Sequence, residues 1–228
     1  MADQDVVSAL AGSFLGTLPQ DVVTTLLTRG LPGQYPAGTT IYHPGSTPRT
    51  LLVVSGLVRV FMSSPDGRQV TVRYARPGDV LGIAVLVGGP ADVGAQTLAD
   101  TAVFGIDPNA LTDAARRDGR VGWALAEELN RRLYENLQQT AVNAFGSVRQ
   151  RVALHVLDLA SEQQGPSGPL LASVTQQELA EAVGSVREVV ARVLRELRVA
   201  GLVATTPPGI LVLDPTGLHD QTWNPTTV

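Results

Sequence analysis

The sequence predicts an α+β chain: an all-β unit in the first half, one long helix, and a C-terminal helix–turn–helix closed by a hairpin. Three observations predict it. Glycines at 45, 56, 67, 78 and 89 punctuate β-rich segments at an interval of eleven, and turn signals at such spacing mark the strands of a barrel or sandwich. Leu125, Leu129, Leu133 and Leu137 then recur every four residues, forming one stripe of a helix. Finally, Thr175-Gln-Gln-Glu178 opens a region where two short helical patterns meet at Gly184.

In chain order, apolar residues at Val6, Leu10 and Phe14, then at Val22, Val23, Leu26 and Leu27, describe short helices separated by Pro19. Segments 51–54, 57–61 and 70–74 are alternating strands, and Pro65-Asp66-Gly67 has the chemistry of a hairpin turn. The strand pattern stops after Asp107. Gly119–Phe145 is expected to be a single helix whose leucine stripe needs a cover. Either the β unit or the same helix of a second subunit can supply it, and the helix length favours the second. Phe145-Gly146-Ser147 breaks the helix, with Ser147 placed to cap Val148–Gln163, and 165–169 is a loop. The expected domains are 1–118, 119–145 and 146–228. The tail 214–228 holds Pro215, Gly217 and Pro225 without periodicity and is expected to be loose, unless Trp223 docks it.

Composition narrows the function classes. A chain of 228 residues can form one large domain or two modest ones. It is 44% hydrophobic and 17% charged, and no apolar run approaches the ~18 residues of a membrane span. Residues 1–18 lack the basic-then-apolar pattern of a secretory signal, so a cytoplasmic protein without a membrane partner is expected. The absence of cysteine excludes disulfides, zinc fingers, thiol nucleophiles and iron–sulfur clusters held by the chain's own thiolates. All seventeen basic residues are arginine, which leaves no lysine for a Schiff base or a phosphate loop. A net charge of −4 argues against coating nucleic acid through bulk charge, but permits a local basic face.

Such a face lies near the C-terminus. Thr175 and Glu178 form a capping box at the start of a helix ending near Val183, and Gly184 supplies a tight turn into a second helix over about 185–200. At 100° per residue, Arg187, Glu188, Ala191, Arg192, Arg195, Glu196 and Arg198 share one half of that helix. Val186, Val189, Val190, Val193, Leu194 and Leu197 share the other. Four arginines against two glutamates give the polar half a local charge of +2. Residues 201–205, a turn at Pro207-Pro-Gly209 and residues 210–213 complete a hairpin, in the order of a winged helix-turn-helix.

The stretch 174–203 resembles the DNA-binding signature of the Crp/Fnr superfamily of bacterial transcription regulators. Ser55-Gly56-Leu-Val-Arg-Val60, Arg76-Pro-Gly-Asp-Val-Leu-Gly82 and Leu98-Ala-Asp-Thr-Ala-Val103 resemble that family's cyclic-nucleotide-binding β-roll. The resemblance spans roughly 33–213. It implies a homodimer joined along 119–145, with two winged domains in adjacent major grooves of a near-palindromic site in double-stranded DNA. It also implies a TGTGA-type half-site read by Arg187, Glu188 and Arg192, and the chemistry agrees. Arginine forks onto guanine O6 and N7, and glutamate accepts from the cytosine amino group. Thr175, Gln176 and Gln177 are expected phosphate donors. Val186 and Val189 stand where the family has serine and threonine, which weakens the expected backbone anchoring. The bland alternative is a solvated face with pairs such as Arg192–Glu196. RNA polymerase is a candidate partner, with no motif here to mark the surface it would meet.

The ligand pocket implied by the resemblance is degenerate. Its positions are Gly78, Asp79, Gly82 and Ile83, then Ala91 and Asp92, with Asn136 on the long helix either touching a ligand or forming a polar rim. The family has a glutamate where Ile83 stands and an Arg-Ser pair near Ala91-Asp92. An aspartate repels phosphate, and the charge-assisted arginine contact is lost. Cyclic AMP bound in the usual way is therefore not expected, no cofactor or metal is assigned, and the effector is undefined. His43, His155 and His219 are expected to be surface or packing residues, not haem ligands.

Two rival readings remain. A cupin-like enzyme needs clustered histidine and carboxylate ligands, and His43 is alone in the β region. No Ser/His/Asp constellation or dinucleotide fingerprint is present, and Gly88-Gly89 is weak evidence of either. The other rival is a ligand-binding adaptor whose winged domain contacts protein, which salt dependence distinguishes from DNA binding.

Overall fold

The computed structural model describes residues 3–45, 49–64, 69–88, 92–165 and 168–222. They fall into two compact units, Met1–Glu135 and Asn136–Val228.

The first unit begins with α1 (Asp3–Ala11), a 3-10 turn (Phe14–Thr17) and α2 (Gln20–Arg29). Eight strands follow: β1 (Leu31–Tyr35), β2 (Thr40–Tyr42), β3 (Thr50–Ser55), β4 (Val58–Ser63), β5 (Gln69–Ala75), β6 (Val80–Leu81), β7 (Gly94–Thr97) and β8 (Thr101–Ile106). They form two antiparallel sheets, in the orders β1-β8-β3-β6 and β2-β7-β4-β5. Leu51 and Val53 of β3 turn into a core with Val58, Val60, Ala75, Ala95 and Val103, drawn from both sheets. Leu52 and Val54 turn the other way, into a cluster with Val6, Leu10, Leu15, Leu26 and Phe104. Thus β3 is buried on both faces, which is why its sequence is a continuous apolar run and not the alternation expected of a half-exposed strand.

Of the evenly spaced glycines, 45, 56 and 78 have positive φ. Gly67 and Gly89 lie outside the described residues, as does the turn 65–67, although Ser63 pairs with Gln69 on either side of it. Two helices of the first unit escaped the sequence reading, the short α3 (Ile83–Gly88) and α4 (Pro108–Arg117). The latter is capped by Asp107, which accepts from the Asn109 and Ala110 N–H groups, with Pro108 in the first turn.

The long helix α5 occupies Gly119–Phe145, as expected. Its leucine stripe divides, so the β unit covers only the first part of it. Leu125 is buried and Leu129 packs on the cluster beside α1 and α2, whereas Leu133 and Leu137 are 56% and 55% exposed. The start of the helix covers the β unit and the later leucines remain uncovered.

The second unit contains α6 (Val148–Gln163), β9 (Leu171–Ala172), α7 (Gln176–Ala182), α8 (Arg187–Val199), β10 (Val203–Thr206), β11 (Gly209–Val212) and α9 (Pro215–Asp220). Ser147 and Gln150 form the capping box of α6. The hairpin is widened to three strands by β9, in the order β10-β11-β9. The expectation of a loose tail is wrong as far as residue 222. Asp214 caps α9 by accepting from the Gly217 N–H, Pro215 fixes its first turn, and Leu218 is completely buried as α9 packs on α6. Trp223 lies outside the described residues. No helix among the described residues is long and apolar enough to cross a membrane.

Candidate nucleic-acid interface

The geometry of α7 is fixed at both ends. The Thr175 hydroxyl accepts from the Glu178 N–H at 3.2 Å and donates to Glu178 Oε2 at 2.8 Å, while the Thr175 N–H donates to the same oxygen at 2.9 Å. These bonds hold the Glu178 carboxyl below its ordinary range. At the other end Gly184 takes φ of 60°, which lets its N–H reach the Glu181 carbonyl and the Ser185 N–H reach the Ala180 carbonyl. A side chain there would be strained, because the left-handed region costs other residues energy. The same closure ends α8, with Gly201 at φ of 74° and the Leu202 N–H bonded to the Leu197 carbonyl.

Between these stops α8 is two-sided. Val190, Val193, Leu194 and Leu197 are buried, and the helix packs on α6, α7 and β10. Val189 is half-buried. Val186 is 58% exposed, contrary to the helical wheel, because it is the N-cap with extended backbone and the 100° rule does not apply to it. Arg187, Glu188, Arg192, Arg195, Glu196 and Arg198 are all exposed. Glu196 is paired with Arg149 Nη1 of α6 at 2.7 Å, so the Arg192–Glu196 pair of the bland alternative does not form. Among the described residues, Arg187, Glu188 and Arg192 are not engaged by any other side chain. No side chain caps α8.

Beside the start of α7 lies a groove of about 270 Å³ bounded by Thr175, Gln176, Thr205, Thr206 and Pro207. Gln176 is half-buried there, and Gln177 Nε2 donates to Glu181 Oε1 at 2.8 Å. The Thr175 hydroxyl hydrogen is committed to Glu178, which leaves the amides of Gln176 and Gln177 as the donors of this trio.

In the first unit, Gly78, Asp79 and Gly82 lie along the turn from β5 through β6, and Ile83 is fully buried in the cluster beside α1. Asp92 is exposed, and Ala91 lies outside the described residues. Asn136 Oδ1 is buried without a hydrogen-bond partner. Asp79 is enclosed by charge: its Oδ2 accepts from the Arg76 N–H at 2.9 Å and lies 3.6 Å from Arg73 Nη1, while its Oδ1 accepts from Arg131 Nη2 at 2.9 Å. Burial works to raise the Asp79 carboxyl, but Arg73, the Arg76 N–H and Arg131 together hold it below its ordinary range. Sequence reasoning singled out Asp79 and missed its partners Arg73, Arg131 and, through them, Glu128 and Arg132. The spacing of Glu128 to Arg131 and Arg132, at i,i+3 and i,i+4, was the available signal. His155 is half-buried on α6, and its burial pushes the imidazole down. No group of three or more His, Cys, Asp or Glu able to hold a metal occurs among the described residues.

Comparison with known proteins agrees with this arrangement. Residues 32–118 match the cyclic nucleotide-binding domain family and residues 150–221 the Crp-like helix-turn-helix domain family. The transcriptional regulator LdrP of Thermus thermophilus is 36% identical over 190 residues, covering 80% of this chain and 92% of that protein. The CRP-like cAMP-activated global transcriptional regulator of Mycobacterium tuberculosis is 29% identical over 216 residues, covering 92% and 96%. Among solved structures, FixK2 from Bradyrhizobium japonicum shares the fold at 22% identity and a TM-score of 0.52, covering 86% of this chain and 98% of that one. The relatives are transcription regulators and not enzymes, which removes the cupin-like reading. With a cyclic-nucleotide-type β unit, a long helix and a DNA-binding helix-turn-helix in this order, the chain belongs to the Crp/Fnr superfamily of transcription regulators.

Proposed function

We propose that the chain is a dimeric, sequence-specific regulator that binds a TGTGA-like inverted repeat in double-stranded DNA and is not controlled by cyclic AMP in the usual way. The observation that carries this reading is the outward face of α8. Arg187, Glu188 and Arg192 are exposed within its first two turns, on a helix whose opposite face is buried and whose predecessor is closed at both ends. Two guanidinium forks suit guanine and one carboxylate suits the cytosine amino group, each worth about 1–3 kcal/mol of discrimination. Gln176 and Gln177 donate to phosphates beside them, and Thr175 sets their position through the capping box.

The partition into 1–118, 119–145 and 146–228 gives a sensor, a dimer helix and a reader, all working in the cytoplasm. The exposed Leu133, Tyr134 and Leu137 on α5 are the surface offered to a second copy, and RNA polymerase is the partner through which such a regulator acts. Independence from cyclic AMP is supported by the buried Ile83 and the exposed Asp92, neither of which can serve a ribose or a cyclic phosphate.

The test is binding of the full chain to a duplex carrying the inverted repeat and to a scrambled duplex, with and without cyclic AMP, over a salt series. The expected result is a nucleotide-independent preference for the repeat and a steep salt slope from counterion release. Arg192→Ala should reduce the preference about 10- to 100-fold. Equal binding to both duplexes both with and without cyclic AMP would overturn the half-site assignment, and binding only with cyclic AMP would overturn the reading of the pocket.

A further inference from the structure

We propose that the turn from Gly78 to Gly82 carries a built-in occupant, the Arg73 guanidinium, and that Asp79, Glu128, Arg131 and Arg132 clasp α5 to this turn and so do the work of an effector. The proposal deepens the cyclic-AMP-independent reading above and rests on it.

The clasp has two acceptors on the turn, each shared between the β unit and the helix. Asp79 lies 3.6 Å from Arg73 Nη1 of β5 on one oxygen, an ion pair without a hydrogen bond, and accepts from Arg131 Nη2 of α5 on the other at 2.9 Å. The Val80 carbonyl accepts from Arg73 Nη2 at 3.5 Å and from Arg132 Nη2. Behind them Glu128, whose side chain is 4% exposed, accepts from Arg131 Nε at 2.8 Å and from Arg132 Nε at 2.7 Å. Glu135 completes the set by pairing with Arg131.

Three guanidinium groups thus meet three carboxylates, so each positive charge of the clasp already has a negative partner. Arg73 is only 8% exposed, so a ligand entering at this turn must displace a buried ion from its partner. Burial, with the charge of Arg73 beside it, pushes Arg132 down to about 10. Ile83, buried at the end of the turn, offers no polar group to a ligand.

Hydrogen exchange read by mass spectrometry on the full chain tests this. In the native chain, amides of 76–82 and 124–134 should exchange slowly and at the same rate with or without saturating cyclic AMP. Glu128→Gln should accelerate both segments by at least about tenfold, because it leaves the largely buried Arg132 short of charge and removes the carboxylate that orients Arg131. Glu127→Gln, on the same helix but bonded to Trp123, should not. If Glu128→Gln does not fold, Arg131→Gln breaks the bridge to Asp79 from a half-exposed position and should accelerate the same segments. Unchanged exchange in both variants, or slowing by cyclic AMP in the native chain, overturns the clasp. The measurement needs no DNA, so failure of the native chain to prefer the inverted repeat counts against the function reading alone. Native DNA affinity in a variant with accelerated exchange overturns the claim that the clasp does an effector's work.

Discussion

Arg149 of α6 places Nη1 2.7 Å from Glu196 Oε2 on α8, and its Nε and Nη2 both donate to Gln221 Oε1 at 3.2 and 3.0 Å. One planar fork therefore ties the polar half of the reading helix, near its C-terminal end, to Gln221, the C-cap of α9. The pair is partly exposed, so the charge itself contributes little, within about 0–1 kcal/mol. The apolar contact under it contributes more: Leu218→Ala should destabilise the second unit by about 2–5 kcal/mol, against at most about 1 kcal/mol for Arg149→Ala. Urea unfolding followed by circular dichroism measures both. A Leu218→Ala effect no larger than that of Arg149→Ala would mean that α9 is a surface appendage.

The divided stripe on α5 predicts two different phenotypes from leucines four residues apart. Leu125 is buried against the β unit, so Leu125→Ala should lower the unfolding free energy by about 2–5 kcal/mol. Leu133 and Leu137 are exposed, so changing both to Asp should leave the stability of the separate chain within about 0.5 kcal/mol per site, while shifting the protein from dimer to monomer in sedimentation velocity. A double variant with the native sedimentation coefficient would remove this surface from the dimer contact.

The elements legible in the sequence were those that carry their own signals. The cap at Ser147, the capping box at Thr175, the four-residue leucine spacing and the glycine at 184 each act within one turn of backbone, and the structure places the corresponding helix ends within two residues of the expectation. The same kind of signal was present twice and not used. Asp107-Pro108 and Asp214-Pro215 each begin a helix with an aspartate cap and a proline in the first turn, where its missing N–H costs nothing. What no local signal could supply was pairing at a distance. Two residues make β9 a strand only because β11 lies beside them. Arg73 and Asp79 face Arg131 only because α5 returns across the turn from β5 to β6. For the reading face, the exposure of Arg187, Glu188 and Arg192 followed from helical geometry, whereas the partner of Glu196 did not, since Arg149 is 47 positions away.

Acid should weaken the first unit through the same charges. Asp79 and Glu128 are held below their ordinary values of 3.8 and 4.5, because nearby arginines outweigh the burial that would raise them. A carboxyl whose folded value is depressed releases its proton more readily in the folded chain, so its stabilising contribution is complete above the unfolded value and fades as the pH falls through the folded one. Asp107, Asp118 and Glu178 shift in the same direction but lie at the solvent, where the effect is screened. His155 has the same sign in a higher window: burial depresses it below 6.5, so the unfolded chain binds its proton first and stability falls as the pH drops below that value. Thermal unfolding from about pH 8 to pH 2.5 should therefore show two descending steps. His155→Gln should flatten the upper step and Asp79→Asn the lower one. A native profile level down to about pH 3 would mean that the ion pairs at Asp79 and Glu128 gain no more in the folded chain than their burial costs.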